Sequence, residues 1–600
     1  MDRAFYSVMP MNSFPFLITA LCVLAIGYRY YSAFLASKVV ALDATRITPA
    51  HRLNDGANYQ PTSRWVVFGH HFAAITGAGP LIGPVLATQF GFLPGFLWIL
   101  IGVVLGGAVQ DFIILFASVR RDGKSLAVIA RNEIGPVAGT VAAITILFVI
   151  VIALAGLGLA VVNALRESCW GVFTIACSIP LGLLMGIYMF KIRPGRVIGP
   201  TIVGVVAMLG AVIGGGFIPG SSWAPAFTLT ATQVTWAIAI YGFIASVLPV
   251  WLLLCPRDYL SSYMKLGTIA ILIIGLLLVH PTLHAPPFSV FIHGGGPIIP
   301  GKVFPYVFIT IACGAISGFH SLVASGTTSK MISNEMDIRP IGYGAMLLEG
   351  LVGITALLAC AALHPGDYFA INVSAEKFAK LGFQTVHLPA LAASVGENVA
   401  GRTGGAVSLA IGMAQVFTAL PGMKQWMSYW YHFAIMFEAL FILTTIDAGT
   451  RVARFVLQEF LGHLWKPLER PDYWLGTILS TGLVVFGWAY FILTGSISTI
   501  WPMFGVANQL LAVIALCVGT TVLINMGRRQ YLWVTLIPMV VVSVTTLTAA
   551  WQNITHNFLP LMRQPGHGFQ GGLNAALTMM MMGCTFVILI SGARRWIKKA

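Results

Sequence analysis

Long apolar runs separated by short polar connections recur along the whole chain, from about residue 14 to residue 592. A helix needs about 20 mostly apolar residues to cross the hydrocarbon layer. Read at that length, the pattern places spans at 14–34, 64–91, 94–118, 136–161, 171–190, 196–215, 233–254, 266–280, 303–323, 342–363, 473–494, 501–524, 531–551 and 573–592. Within 389–447, Val407–Leu420 and Tyr429–Thr445 are both apolar and Pro421-Gly422 lies between them, so one crosses and the other is re-entrant or interfacial. The pattern predicts an all-α polytopic membrane protein of about 15–16 transmembrane helices.

Composition sharpens this. Of 600 residues, 58% are hydrophobic and 9% charged, against about 25% charged in an ordinary soluble domain, which excludes a soluble enzyme. The net charge of +15 would suggest nucleic acid if the basic residues were gathered in one segment. Instead they alternate with the spans. Most fall in loops on one side, among them Arg120, Arg121 and Lys124, then Arg257, Lys265, Lys330 and Arg339, and the C-terminal Arg594–Lys599 cluster. Few remain for the other side: Arg3, Arg166, Lys302, Lys377, Lys380, Arg402 and Arg563. The positive-inside rule assigns the richer side to the cytoplasm, with a periplasmic N-terminus and a cytoplasmic C-terminus. The lipid membrane, not nucleic acid, accounts for the basic balance. The first run lacks a small-residue cleavage site and reads as a retained helix. Eight cysteines form no CxxC pair, so neither a disulfide framework nor a metal site is expected. No HExxH, GxSxG or Walker A pattern occurs, which predicts neither an enzyme nor an ATP-driven pump, and no cofactor beyond a coupling H⁺ or Na⁺.

Two spans carry helix breakers, and paired interruptions in a transporter point to a binding site. The first is Phe68–Pro84, where Gly77, Gly79, Pro80 and Pro84 should open the helix. The second is Ser246–Pro249, five crossings later and so of opposite orientation. This predicts a five-plus-five inverted repeat: an N-terminal helix and loop over 1–63, one unit over 64–215, a second over 216–447 and accessory helices over 448–600. Pro80 suits the first turn of a half-helix, which should leave the amides of Leu81, Ile82 and Gly83 free. Together with Gly77, Gly79 and Ser246 they are the candidate substrate site, holding a carboxylate at a positive helix end. A proline kink satisfied by neighbouring groups is the plainer reading.

Ionisable residues inside spans are candidates for ion coupling. His70 and His71 lie near the cytoplasmic end of the first broken span, and only one of them can face the bundle centre. Asp111 sits beside Gly102, Gly106 and Gly107, small residues that mark a close-packed face, with Arg120 or Arg121 as its expected ion-pair partner. In Cys313–Lys330, Gly314, Gly318, Ser321, Ser325 and Thr328 recur at helical spacing and form a small, polar face. That face either packs tightly or lines a path. His320 and Lys330 suit H⁺, whereas Ser325, Thr327 and Thr328 suit Na⁺. Glu349, Glu438 and Asp447 complete the inward-facing candidates.

The stretches Asn54-Asp-Gly56, Gly69-His-His-Phe-Ala-Ala-Ile-Thr-Gly-Ala-Gly-Pro-Leu-Ile-Gly-Pro84, Gly107-Ala-Val-Gln-Asp-Phe112, Ser118-Val-Arg-Arg-Asp-Gly-Lys-Ser-Leu126, Gly314-Ala-Ile-Ser-Gly-Phe-His320 and Ser325-Gly-Thr-Thr-Ser-Lys330 resemble the carbon starvation protein A family. The resemblance is close over residues 54–360 and continues by hydropathy. It implies a bacterial inner-membrane transporter related to the amino acid, polyamine and organocation superfamily, with its inverted-repeat core, taking up peptides or pyruvate during nutrient limitation. The expected function is a secondary active transporter for a small carboxylate-bearing nutrient. Its rivals are a Na⁺-coupled transporter of another organic anion, a nutrient sensor with a transporter fold, and a membrane metalloenzyme, which would need several histidines at ligand spacing on facing helices.

Overall fold

A computed structural model of the chain describes residues 11–55, 59–193, 198–248, 252–462, 465–469 and 473–598. Gly56, Pro249, and the charges Arg3, Arg196, Arg470 and Lys599 lie outside the described residues. Almost everything else is helix. The single two-stranded sheet among the described residues pairs Met11–Asn12 antiparallel with Thr282–Leu283.

The helices that build the bundle, in chain order, are α1 (Ser13–Val39), α2 (Arg64–Ile75), α3 (Gly79–Ala87), α4 (Phe92–Val119), α5 (Pro136–Leu165), α6 (Cys169–Ile187) and α7 (Gly199–Gly215). Next come α8 (Ala231–Val247), α9 (Leu254–Val279), α10 (Val303–Thr310), α11 (Ala312–Ala315), α12 (Gly318–Gly326) and α13 (Glu335–Ala361). The last are α14 (Ala406–Thr418), α15 (Met427–Gly462), α16 (Trp474–Thr494), α17 (Ile497–Asn525), α18 (Trp533–Met562) and α19 (Gly568–Lys598).

Among the described residues, 10 helices are long and apolar enough to cross a membrane, and the bent pair α2–α3 makes an eleventh. The chain is a multi-pass helical membrane protein. The expected number of spans is approached only by adding the shorter apolar helices, which have 10–17 residues. Within 389–447, the 36-residue α15 is long and apolar enough to cross, while the buried, 13-residue α14 rises about 20 Å and packs along α15 and α13.

The most apolar stretch of α17 is 100% buried. This helix is the central post, touching α5, α12, α18 and α19. At the periphery, α1 and α19 are only 28% and 33% buried over their most apolar stretches. Their exposed apolar side chains, such as Ile26, Phe569 and Ile590, suit a hydrocarbon surface, where exposure carries no hydrophobic penalty.

Two further interruptions occur, one at the place the sequence indicates and one in a segment that reads as a single span. Helix α8 does stop at Val247, with Leu248 extended. The segment packed against the α2–α3 break is 303–326, where one span over 303–323 is expected and the chain is in fact divided into α10, α11 and α12. Ile316 and Ser317 are extended between α11 and α12, at φ −158°, ψ 122° and φ −128°, ψ 122°. This break has no central proline. It is held by Asn508 on α17, whose Oδ1 accepts from the Phe319 amide at 3.0 Å and from Ser317 Oγ at 3.2 Å. A side chain from another helix thus supplies the cap that the local sequence lacks.

Candidate functional site

The break between α2 and α3 forms because Gly77, Gly79 and Pro80 weaken the helix at consecutive turns. Thr76 leaves the helical region at ψ 79°, and α3 restarts with Pro80 in its first turn. All six candidate residues Gly77, Gly79, Pro80, Leu81, Ile82 and Gly83 are buried. The structure corrects which amides are free. Leu81 and Ile82 donate to Ala78 O at 3.1 and 2.8 Å, and Gly83 lies a full turn inside α3. The amides of Ala78 and Gly79 are the ones without a partner among the described residues. Gly79 has little space to spare, since a Cβ there would stand 2.5 Å from Cys313 Cβ. At the other end of the break, Ala73 O and Thr76 O accept from Lys265 Nζ at 3.1 and 3.3 Å, and the same ammonium lies 4.2 Å from the Phe441 ring. Lys265, counted among loop charges in the sequence, is 1% exposed and places a cation at the carbonyl end of α2.

Facing this break is a cluster of ionisable side chains. The middle of 92–119 is a π-helical turn, Val103–Gly107, and its small residues let the chain approach α11. A Cβ at Gly107 would come within 2.4 Å of Ala315 O, so only glycine fits. One turn on, Asp111 Oδ2 lies 2.9 Å from His320 Nδ1, with both side chains fully buried. Gln110 Nε2 donates to Asp111 Oδ1 at 3.2 Å and to Ser317 O at 2.6 Å. On the opposite side of the ring, His320 Nε2 stands 3.2 Å from Glu349 Oε2 and 3.6 Å from Cys313 Sγ. His71 Nδ1 pairs with Thr328 Oγ1 at 2.8 Å, and its Nε2 has no partner among the described residues. His320 therefore bridges two carboxylates, and the four ionisable groups Asp111, His320, Glu349 and His71 are sealed from solvent.

Other expectations meet different outcomes. His70 points outward and is exposed. Asp111 does not pair with Arg120 or Arg121, which lie more than two turns further along the helix. Arg120 instead meets Glu335 at 2.5 Å and Arg121 meets Glu133 at 2.5 Å. The polar face read across Gly314, Gly318, Ser321, Ser325 and Thr328 is split by the break, which changes its phase. The three hydroxyls proposed for Na⁺ diverge: Ser325 Oγ caps the Leu126 amide at 3.1 Å, Thr328 meets His71, and Thr327 is exposed. Lys330 is half-buried, its ammonium 5.5 Å from the Tyr59 ring.

Ser246 sits at the end of α8, where its carbonyl accepts from Arg454 Nη1 at 2.9 Å. Asp447 forms a buried ion pair with Arg257 at 2.7 Å, and Glu438 is buried with no hydrogen-bond partner among the described residues. Lys265, Gln110, Cys313 and Asn508 escaped the sequence reading. A lysine at the apolar edge of a span was the one available signal, because the opened α2–α3 helix needs a donor for its stranded carbonyls.

Comparison with known proteins fits this geometry into a family. Residues 12–549 match the family described as Carbon starvation protein CstA. The chain is 45% identical over 587 residues to a protein of Bacillus subtilis named Peptide transporter CstA, covering 98% of this chain and 97% of that one. It is 48% identical over 568 residues to the Escherichia coli protein of the same name, covering 90% and 81%. It is also 46% identical over 575 residues to the Escherichia coli Pyruvate/proton symporter BtsT, covering 89% and 80%.

Proposed function

The chain belongs to the carbon starvation protein CstA family, and from that premise we propose that it is a proton-coupled secondary transporter importing peptides or pyruvate across the bacterial inner membrane under carbon starvation. The observation that carries the proton is the Asp111–His320–Glu349 chain, three ionisable side chains at 0% exposure beside the opened helix. An uncompensated charge at such depth costs at least about 2.5 kcal/mol. A histidine between two carboxylates can take up and release a proton while its neighbours share the charge. The substrate carboxylate belongs at the positive end of α3, on the Ala78 and Gly79 amides. The names of the relatives supply both substrate classes, and the symporter among them supports H⁺ over Na⁺, as do the diverging hydroxyls of Ser325, Thr327 and Thr328. The loop charges support a cytoplasmic Arg120–Lys124 loop and C-terminus.

The test is uptake of labelled dipeptide and of pyruvate into proteoliposomes under an imposed pH or Na⁺ gradient. Uptake of either substrate should follow the pH gradient, and His320→Gln should abolish that dependence. Uptake that follows Na⁺ and ignores pH would overturn the coupling. Binding without any flux would favour a sensor.

A further inference from the structure

Cys313, His320 and Glu349 come from three helices, α11, α12 and α13, yet one donor atom of each lies within 4.8 Å of the other two and all three side chains are buried. The thiol sulfur is 3.6 Å from His320 Nε2, and Glu349 Oε2 is 3.2 Å from the same nitrogen. In a tetrahedral zinc site, bonds of about 2.0–2.1 Å to nitrogen or oxygen and about 2.3 Å to sulfur put neighbouring donors about 3.3–3.6 Å apart. The two separations from His320 Nε2 lie close to those edges, and the third pair is within 4.8 Å.

The orientation of the groups adds an independent indication. Both Glu349 oxygens lack a hydrogen-bond partner among the described residues, although Oε2 stands 3.2 Å from the ring nitrogen. A fully buried, unpartnered carboxylate beside that nitrogen suits a fellow ligand. The second ring nitrogen, Nδ1, is held by Asp111 at 2.9 Å. A carboxylate behind the imidazole in this way fixes the tautomer and raises the basicity of a metal-ligating histidine.

We infer that Cys313, His320 and Glu349 form a binding site for one divalent cation of the zinc class, with Asp111 as a positioning residue. A thiolate, an imidazole and a carboxylate together favour a borderline-soft ion over Mg²⁺ or Ca²⁺, which demand oxygen ligands throughout. Three protein ligands leave the fourth position for water or a bound carboxylate. Coordination exchanges the Cys313 thiol proton for the ion, the proton leaving to solvent. The dication also offsets the two buried carboxylates, which otherwise share one imidazole. The site uses residues of the coupling cluster but does not depend on what drives transport.

The test uses the purified full chain in detergent, stripped with a chelator and titrated with Cd²⁺, whose thiolate complex gives an ultraviolet charge-transfer band. Zn²⁺ affinity is read by competition with a chromophoric chelator. One equivalent should bind, the band should vanish in Cys313→Ser and persist in Cys360→Ser, and Zn²⁺ should raise the Tm of the parent but not of Cys313→Ser. Glu349→Gln and Asp111→Asn should each weaken Zn²⁺ binding about 10- to 100-fold. A parent protein without the band, or Cys313→Ser binding Zn²⁺ as tightly as the parent, overturns the inference. Uptake driven by pH in chelator-stripped vesicles reports on coupling alone, so the two readings fail separately.

Discussion

Asp111 on α4 and His320 on α12 meet at 2.9 Å with neither side chain exposed, although 209 residues separate them in sequence. The contact fixes the ring so that its other nitrogen faces Glu349. Replacing Asp111 by Asn keeps the shape and removes the charge. The expected outcome is a fall of at least about tenfold in pH-driven uptake, the equivalent of about 1.4 kcal/mol of lost interaction, while substrate exchange without a gradient persists. Proteoliposome uptake and exchange, measured side by side, check this. An unchanged ratio between the two would remove Asp111 from the coupling path.

The packing of Gly79 against Cys313 predicts a compensating pair. A Cβ at position 79 would lie 2.5 Å from Cys313 Cβ and 2.9 Å from its sulfur, a clash that overpacked cores relieve at about 1–3 kcal/mol. Gly79→Ala should therefore lower the Tm, and adding Cys313→Gly should restore most of the loss. Additive Tm losses in the double variant would mean that the two positions do not touch.

What the sequence revealed follows the range of the physical signal. The interruption of α2–α3 is local, written in Gly77, Gly79, Pro80 and Pro84, and was legible for that reason. The small-residue approach at Gly102–Gly107 was legible too, and it correctly turned Asp111 inward. The partner of Asp111 was not, because it lies 209 residues away, while the nearby Arg120 and Arg121 pair with Glu335 and Glu133. The break at Ile316–Ser317 is held open by Asn508, 189 residues from the Phe319 amide that it caps, and no local pattern announces it. Lys265 looked like a loop charge because span ends are read from hydropathy, which does not show that an ammonium can be buried against stranded carbonyls.

Glu397 predicts a pH dependence of stability. It lies in the loop that precedes α14, with Oε1 accepting from Ser168 Oγ at 2.6 Å and standing 3.1 Å from His432 Nε2. Burial pushes its carboxyl up, but the His432 and Ser168 contacts and the Arg402 charge outweigh burial and hold it below the ordinary value of 4.5. A depressed folded-state value means that the stabilisation is present above that ordinary value and is lost as pH falls through the lower one. Tm should drop on acidification below pH 4.5, and Glu397→Gln should flatten the drop while lowering the Tm at neutral pH by the loss of about 1.5–3 kcal/mol for a charged hydrogen bond. Thermal unfolding across pH checks both, and an equal acid drop in parent and variant would assign the sensitivity elsewhere.

Lys265 predicts a stability defect that a small amine repairs. Its ammonium donates to Ala73 O and Thr76 O at 3.1 and 3.3 Å, satisfying carbonyls that the opened helix leaves without their usual amides. Lys265→Met fills the space but strands those carbonyls, at about 1–3 kcal/mol each, and removes the cation from the end of α2. The Tm should fall and uptake should fall with it. Lys265→Arg keeps the charge, but its planar fork does not reproduce a compact ammonium, so it should recover only part of the loss. Lys265→Ala leaves a cavity of the right shape beside two acceptors, and methylammonium in the buffer should raise its Tm while leaving the parent unchanged. If Lys265→Met melts with the parent, the carbonyls are satisfied by another donor and the lysine does not hold the break.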